Sequence, residues 1–127
     1  DYRLTGGDIE KIWEVVGGSM WEIQKILTDL FGEDLDVVLG EYKKLMRGII
    51  EDYIGFSLEK ETVLEVFADR AVWSRPDLKG QCDLPYIKLE EMLHNLVSAN
   101  ILYYDPTEAV FYPQGKSMKW GVGLYFK

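Results

Sequence analysis

Apolar side chains recur three or four positions apart through most of this chain, which places them on one face of a helix. This pattern predicts helices over residues 8–16, 19–31, 35–54, 58–72 and 85–99. Two β-prone runs, 101–104 and 110–112, flank a turn at 105–108 and predict a hairpin. Residues 115–127 predict a short helix, weakened by its glycines, that packs back on the core.

A helix that leads directly into a hairpin, with another helix upstream, indicates the winged-helix arrangement, a helix-turn-helix followed by a wing. The intervening segment 73–85 contains two prolines and a glycine, so we expect a loop there with at most a short helix or turn around 77–79. The predicted fold is therefore mainly α with a small β-hairpin (α+β). It divides into a helical unit over 1–56 and a winged-helix domain with a C-terminal tail over 57–127.

Local signals predict several helix ends. Gly17-Gly18 stops the first helix, since glycine adopts left-handed conformations without a steric penalty. Ser19 and Glu22 have the spacing of a capping box for the second helix. Gly32 is expected to end that helix.

Two further features of the helical unit predict packing. Gly40 and Gly48 lie inside a long apolar pattern, where each indicates either close helix–helix approach or a bend. Trp13 and Trp21 flank the glycine pair and are predicted to belong to the core.

The charge disfavours nucleic acid as a partner. The chain has 127 residues and a net charge of −8, so it lacks the long-range attraction to phosphate that drives such binding, although a local basic patch is still compatible with this charge.

One cysteine, Cys82, excludes an internal disulfide and favours a reducing, cytoplasmic location. No apolar run approaches the roughly 20 residues that span a bilayer. The chain does not begin with methionine, and we expect it to be part of a larger protein.

A family resemblance adds to this interpretation. The glycine pair Gly17-Gly18 with the capped helix after it, the run NILYYDP at 100–106 and the run YPQGKS at 112–117 resemble the C-terminal part of archaeal P-loop ATPases of the AAA+/STAND class. In that class a nucleotide-binding domain precedes a small helical lid and a winged-helix domain. The resemblance implies a lid-like bundle over 1–56, and ATP and Mg²⁺ bound by the parent protein. It also implies a nucleotide-facing turn at Gly17 and Gly18, with the parent's own nucleotide-binding domain and a protein partner as binding partners.

The chain itself is not expected to be an enzyme or to hold a cofactor. Gly115-Lys116-Ser117 resembles the end of a P-loop, but Val110 occupies the position that requires glycine, and a hairpin precedes it instead of a single strand. No arginine follows Gly17-Gly18, where lids of this class often carry one.

Candidate partner-binding residues lie on the helix before the hairpin and on the wing. They are Lys88, His94, Asn95, Tyr103, Tyr104 and Tyr112. Glu90 and Glu91 share the outer face of that helix and would repel DNA phosphates, so a protein partner is favoured. His94 is the only histidine, and no second ligand lies at a useful spacing, so no metal site is expected. The alternatives are a DNA-binding regulator and an oligomerisation module.

Overall fold

The computed structural model describes residues 4–30 and 33–127. This part of the chain is mainly helical, with one small antiparallel sheet, so the predicted α+β class is confirmed. The helices are α1 (Gly6–Val16), α2 (Met20–Asp29), α3 (Leu35–Ile54), α4 (Leu58–Asp69), α5 (Arg75–Gln81), α6 (Tyr86–Ser98) and α7 (Gly115–Tyr125). The strands are β1 (Trp73–Ser74), β2 (Leu102–Asp105) and β3 (Val110–Pro113).

The segment between α4 and α6 differs from its prediction. The fourth helix ends at Asp69 instead of residue 72, because Arg70 takes an extended conformation. The chain then forms β1, which the sequence pattern did not predict, and the seven-residue helix α5 where a short helix or turn around 77–79 was expected. Proline is compatible with α5 because Pro76 lies in its first turn, where no backbone N–H is needed. The Ser74 hydroxyl caps this helix by accepting from the Asp77 N–H.

The sheet has the order β1-β3-β2, with β3 in the centre. Phe111 on β3 pairs with Trp73 on one side and with Tyr104 on the other. The Asp105 carboxylate stabilises the hairpin turn by accepting from the Thr107 and Glu108 N–H groups at 2.9 and 3.3 Å. Consecutive elements from α4 to β3 therefore follow the order helix, strand, helix, helix, strand, strand.

Two hydrophobic clusters form the core, and α3 contributes to both. Its residues up to Met46, including Leu39, contribute to a cluster with α1 and α2. Its last turns supply Ile50 and Ile54 to a second cluster with α4, α6 and the sheet. Helix α7 also joins them, because Met118 packs against both clusters. The boundary between residues 56 and 57 remains a prediction, and the two cores are continuous through α3 and α7.

Among the glycines of the described residues, Gly121 of α7 has the tightest contact with another helix. A Cβ atom added there would come within 2.8 Å of the Met46 backbone oxygen on α3. Gly40 and Gly48, by contrast, have no atom within 4 Å of an added Cβ, so close helix–helix approach is wrong at both, and a bend there stays a prediction.

Helix N-termini are capped largely as expected. Thr5 and Asp8 form a complete capping box at α1. At α2 the Ser19 hydroxyl accepts from the Glu22 N–H, but the Glu22 carboxylate accepts from the Tyr42 hydroxyl instead of closing a capping box. Gly17, with a φ of 63°, ends α1 as predicted. The predicted helix end at Gly32 lies outside the described residues.

Trp13 and Trp21 are exposed, so their prediction as core residues is wrong. Their side chains are 55% and 69% exposed. Helix α1 buries Ile12, Val15 and Val16, and Trp13 lies about 100° around the helix from Ile12, outside that stripe. Because α2 packs mainly through Ile26, Trp21 in its first turn remains in solvent.

Candidate interaction surfaces

Helix α6 carries three of the predicted site residues. It buries an inner stripe of Leu89, Met92, Leu93 and Leu96 against α4 and the hairpin. Lys88 and His94 lie on its exposed side, and Asn95 is half-buried. The structure therefore places Lys88 and His94 toward solvent and Asn95 partly so.

The bases near the exposed side of α6 lie close to carboxylates. The Arg75 Nε donates to the Glu90 Oε1 at 2.8 Å, and this hydrogen bond raises the pKa of Arg75 above its ordinary value. The Lys88 Nζ lies 4.0 Å from the Glu59 Oε2 and 3.9 Å from the Glu91 Oε2. Three carboxylates thus surround two cations, and this face offers no net positive charge to a phosphate backbone.

The hairpin tyrosines divide between two sides of the sheet. Tyr103 stacks on Tyr112 across the strands, with ring centroids 5.2 Å apart, and both remain at least partly in solvent. Tyr104 packs on buried Phe111 at 4.7 Å, and the Arg75 guanidinium lies 4.9 Å from its ring centroid. Tyr103 and Tyr112 are therefore available to a partner, whereas Tyr104 mainly supports the junction with α6.

The turn at Gly17-Gly18 faces other parts of this chain. An added Cβ at Gly17 would lie 3.6 Å from the Lys116 side chain on α7, and one at Gly18 would lie 3.3 Å from the Trp13 ring. The Lys116 Nζ is 5.8 Å from the Trp13 ring centroid. Gly17 therefore lies at ordinary contact distance from α7, whereas Gly18 packs on a side chain of α1 itself, and nucleotide contact at this turn stays a prediction.

Two exposed apolar surfaces were not predicted from the sequence. The tryptophan surface consists of Ile9, Trp13, Met20 and Trp21 on α1 and α2. The α4–α6 surface consists of Phe56, Leu58, Tyr86 and Ile87 at the start of α4 and α6. Large exposed apolar side chains grouped on neighbouring helices are candidates for interaction sites. One sequence signal could have indicated the exposure of Phe56. It lies between Gly55 and Ser57, a helix-ending and a helix-starting residue, and so falls in the turn between two helices.

The described residues contain no group of three or more histidine, cysteine or acidic side chains positioned to hold a metal ion. Within the same residues, no helix combines the length and apolar character needed to cross a membrane. Comparison of the chain with protein-family models, with curated proteins and with solved structures finds no match.

Proposed function

We propose that this chain is a non-catalytic protein-interaction module of winged-helix type. The observation that carries the proposal is the outer side of α6 and the adjoining start of α5, where Arg75 is hydrogen-bonded to Glu90 and Lys88 lies 3.9 and 4.0 Å from two carboxylates, while Tyr86 and Ile87 stay exposed. A DNA-reading helix needs free cationic or amide side chains directed at bases and phosphates. An acidic face with exposed apolar residues instead fits the surface of another protein.

The order of elements supports the winged-helix part of the proposal. A helix, a short strand and two helices precede a hairpin whose central strand pairs with the short strand β1. In this arrangement α6 is the second helix of the helix-turn-helix, with its outer side in solvent, and the β2–β3 turn is the wing.

We further propose that the chain belongs to a cytoplasmic P-loop ATPase, as the C-terminal region that follows the nucleotide-binding domain. The tryptophan surface supports this, because it lies on the lid-like helices and would be covered by that domain. ATP and Mg²⁺ would bind in the parent's nucleotide domain, with Gly17-Gly18 at the lid turn. A rigid-body shift of the lid would then carry the nucleotide state to a protein partner.

Fluorescence anisotropy with labelled duplex DNA, at low and at moderate salt, tests the first proposal. We expect no saturable binding even at low salt. The variant Glu90→Lys with Glu91→Lys serves as a control, since its basic helix should gain weak, salt-sensitive binding. Saturable, salt-sensitive binding by the unaltered chain would establish a DNA-binding regulator instead. A dimer in sedimentation equilibrium, lost in Ile87→Ser, would establish the oligomerisation module.

ATP hydrolysis by the full-length protein tests the second proposal. We expect Trp21→Ser to change the rate of hydrolysis, because it alters the surface assigned to the nucleotide domain. Ile87→Ser, on the α4–α6 surface, should leave hydrolysis without partner unchanged. A full-length protein that does not hydrolyse ATP would refute the assignment.

A further inference from the structure

We infer that the α4–α6 surface binds a basic segment, with apolar side chains, of a partner protein. The inference rests on the proposed role in protein interaction and assigns a partner chemistry to one surface. Four large apolar side chains lie in solvent there, at or just before the first turns of two helices: Phe56, Leu58, Tyr86 and Ile87. The Lys88 Nζ lies 4.0 Å from the Glu59 Oε2, which places the starts of α4 and α6 side by side.

The turn that carries Phe56 is held by hydrogen bonds on both sides. The Gly55 and Ser57 N–H groups donate to backbone oxygens in the last turn of α3, at 3.0 and 2.9 Å. The Ser57 hydroxyl accepts from the Lys60 N–H at 3.2 Å and caps α4. Phe56 is fully exposed although its backbone is fixed, so a partner would bury this side chain without first ordering the turn.

Acidic side chains dominate the surroundings of this surface. The segments that form it, 51–61 and 83–91, contain seven acids and two lysines. Arg75 and Lys79 make hydrogen bonds to the second segment, and counting them still leaves seven acids against four bases. The surface therefore carries a net charge of −3, which a basic partner complements.

The bases at this surface already contact groups of the same chain. Lys88 lies 3.9 and 4.0 Å from two carboxylates, and Arg75 donates to a third at 2.8 Å. Lys60 and Lys79 donate to backbone oxygens at 3.2 and 2.6 Å. An acidic partner would have to compete with these contacts.

Two exposed acids at the edge of the surface are available to a basic partner. Asp52 precedes Phe56 by four residues, and Asp83 precedes Tyr86 by three. The ion pairs among the described residues include neither carboxylate. The C-terminus of α3 adds partial negative charge beside Phe56, and its last turn holds no basic side chain. We expect lysine or arginine side chains of the partner to pair with these acids.

The same charge disfavours other occupants of an exposed apolar surface. Two copies of this chain would bring two acidic rims together, and like charges in contact oppose association. A membrane with anionic lipids would be repelled in the same way. A basic segment with apolar side chains, by contrast, removes the exposed residues from water and neutralises the acids around them.

Fluorescence anisotropy of a labelled peptide, titrated with the unaltered chain, tests this inference. The probe is a short peptide of Lys and Leu with Leu at helical spacing, and the matched control has Glu in place of every Lys. We expect saturable binding of the Lys–Leu peptide that weakens as salt rises. The Glu–Leu peptide should not bind.

Uncharged substitutions locate the binding site, because they leave the net charge of the chain unaltered. Phe56→Ser with Ile87→Ser should weaken binding of the Lys–Leu peptide about tenfold or more, since two apolar side chains no longer leave water on binding. Met20→Ser with Trp21→Ser removes two side chains that are also largely exposed, from the tryptophan surface, and should retain binding. All four side chains lie mostly in solvent, so we expect both variants to keep the fold.

Charge variants test the acids around the surface. Asp52→Lys with Asp83→Lys should weaken binding of the Lys–Leu peptide about tenfold. Glu10→Lys with Glu14→Lys, on α1, changes the net charge by the same amount outside the surface and should weaken it less.

Four outcomes would overturn the inference. They are no saturable binding of the Lys–Leu peptide, equal binding of both peptides, equal loss in the two members of either variant pair, and a dimer of the chain that Ile87→Ser abolishes. Any of the first three, in a chain that also fails to bind DNA, refutes the partner chemistry alone and leaves the proposed function standing. The dimer, or DNA binding by the unaltered chain, would refute the proposed function as well.

Discussion

Replacing Gly121 by alanine tests whether α7 joins the two cores by direct backbone contact with α3. The new Cβ would lie 2.8 Å from the Met46 oxygen, 2.9 Å from its carbonyl carbon and 3.1 Å from its Cβ. Ordinary carbon contacts begin near 3.5 Å. Two of these neighbours are backbone atoms of a 20-residue helix, so no side-chain rotation relieves the overlap. The helices must separate by several tenths of an ångström.

Gly123→Ala, two residues further along α7, is the matched control. Both substitutions exchange glycine for alanine in the same helix, so the gain in helix propensity of up to about 1 kcal/mol is common to both. Only Gly121→Ala adds overpacking, which costs about 1–3 kcal/mol in a well-packed core. The difference between the two variants therefore isolates the overpacking cost, and we expect Gly121→Ala to be less stable by about 2 kcal/mol.

Urea denaturation of the three proteins, followed by tryptophan fluorescence and by circular dichroism, measures this difference. We expect the Gly123→Ala midpoint to rise slightly and the Gly121→Ala midpoint to fall, with similar slopes. Equal stability of the two variants would refute the direct contact between α3 and α7.

Three further changes have expected effects on stability. Gly48→Ala should stabilise the chain by about 0.5–1 kcal/mol in thermal or urea unfolding, because the added methyl meets open space inside α3. Tyr53→Phe should raise stability by up to about 1 kcal/mol, since the Tyr53 hydroxyl is buried without a hydrogen-bond partner among the described residues; a loss would indicate a partner for it. Tyr42 is almost fully buried, and burial, with the hydrogen bond to Glu22, raises its pKa above its ordinary value. Its stabilising effect is complete below about pH 10 and decreases above it by up to about 1.4 kcal/mol per pH unit, as the unfolded tyrosine ionises. Urea titrations at several alkaline pH values should give a shallower decline in Tyr42→Phe than in the unaltered chain.

The sequence predicted those elements whose signals are local. Gly17 and Ser19 mark helix ends through their own backbone and side-chain chemistry, and both lie where they were expected. The apolar pattern of α3 predicted its ends at Leu35 and Ile54. A helical repeat sustained over five turns leaves little ambiguity about where the helix begins and ends.

Features that depend on distant partners could not be predicted in this way. Strand β1 has two residues and exists through its pairing with Phe111 and Val110 on β3. Gly121, and not Gly40 or Gly48, marks the close approach, because the approach depends on how α7 lies on α3. Trp13 has the apolar character of a core residue, yet the neighbouring stripe on α1 is the one that α3 and α7 cover.

The candidate surfaces also combine features that a local sequence pattern predicts with features that depend on distant contacts. Exposure of Lys88 and His94 followed from their positions on an amphipathic helix. The charge at that surface also depends on the contact between Arg75 and Glu90. These residues are fifteen positions apart in sequence, and no local pattern predicts that they meet. A cleft lined by Glu14 of α1, Phe67 of α4 and Trp120 of α7 combines residues far apart in sequence, so it forms only when α7 packs against α1 and α4.

The position of α7 has a consequence for how the chain could transmit a signal. Helix α7 follows the hairpin after one residue and contacts α3 at Gly121, while α3 runs through both cores. We therefore expect a displacement of α1 and α2 to move the hairpin with them. Hydrogen exchange in Gly121→Ala tests this coupling. We expect faster exchange in α3 and in the β2–β3 hairpin alike, whereas acceleration confined to α7 would show that the contact at Gly121 does not couple the two cores.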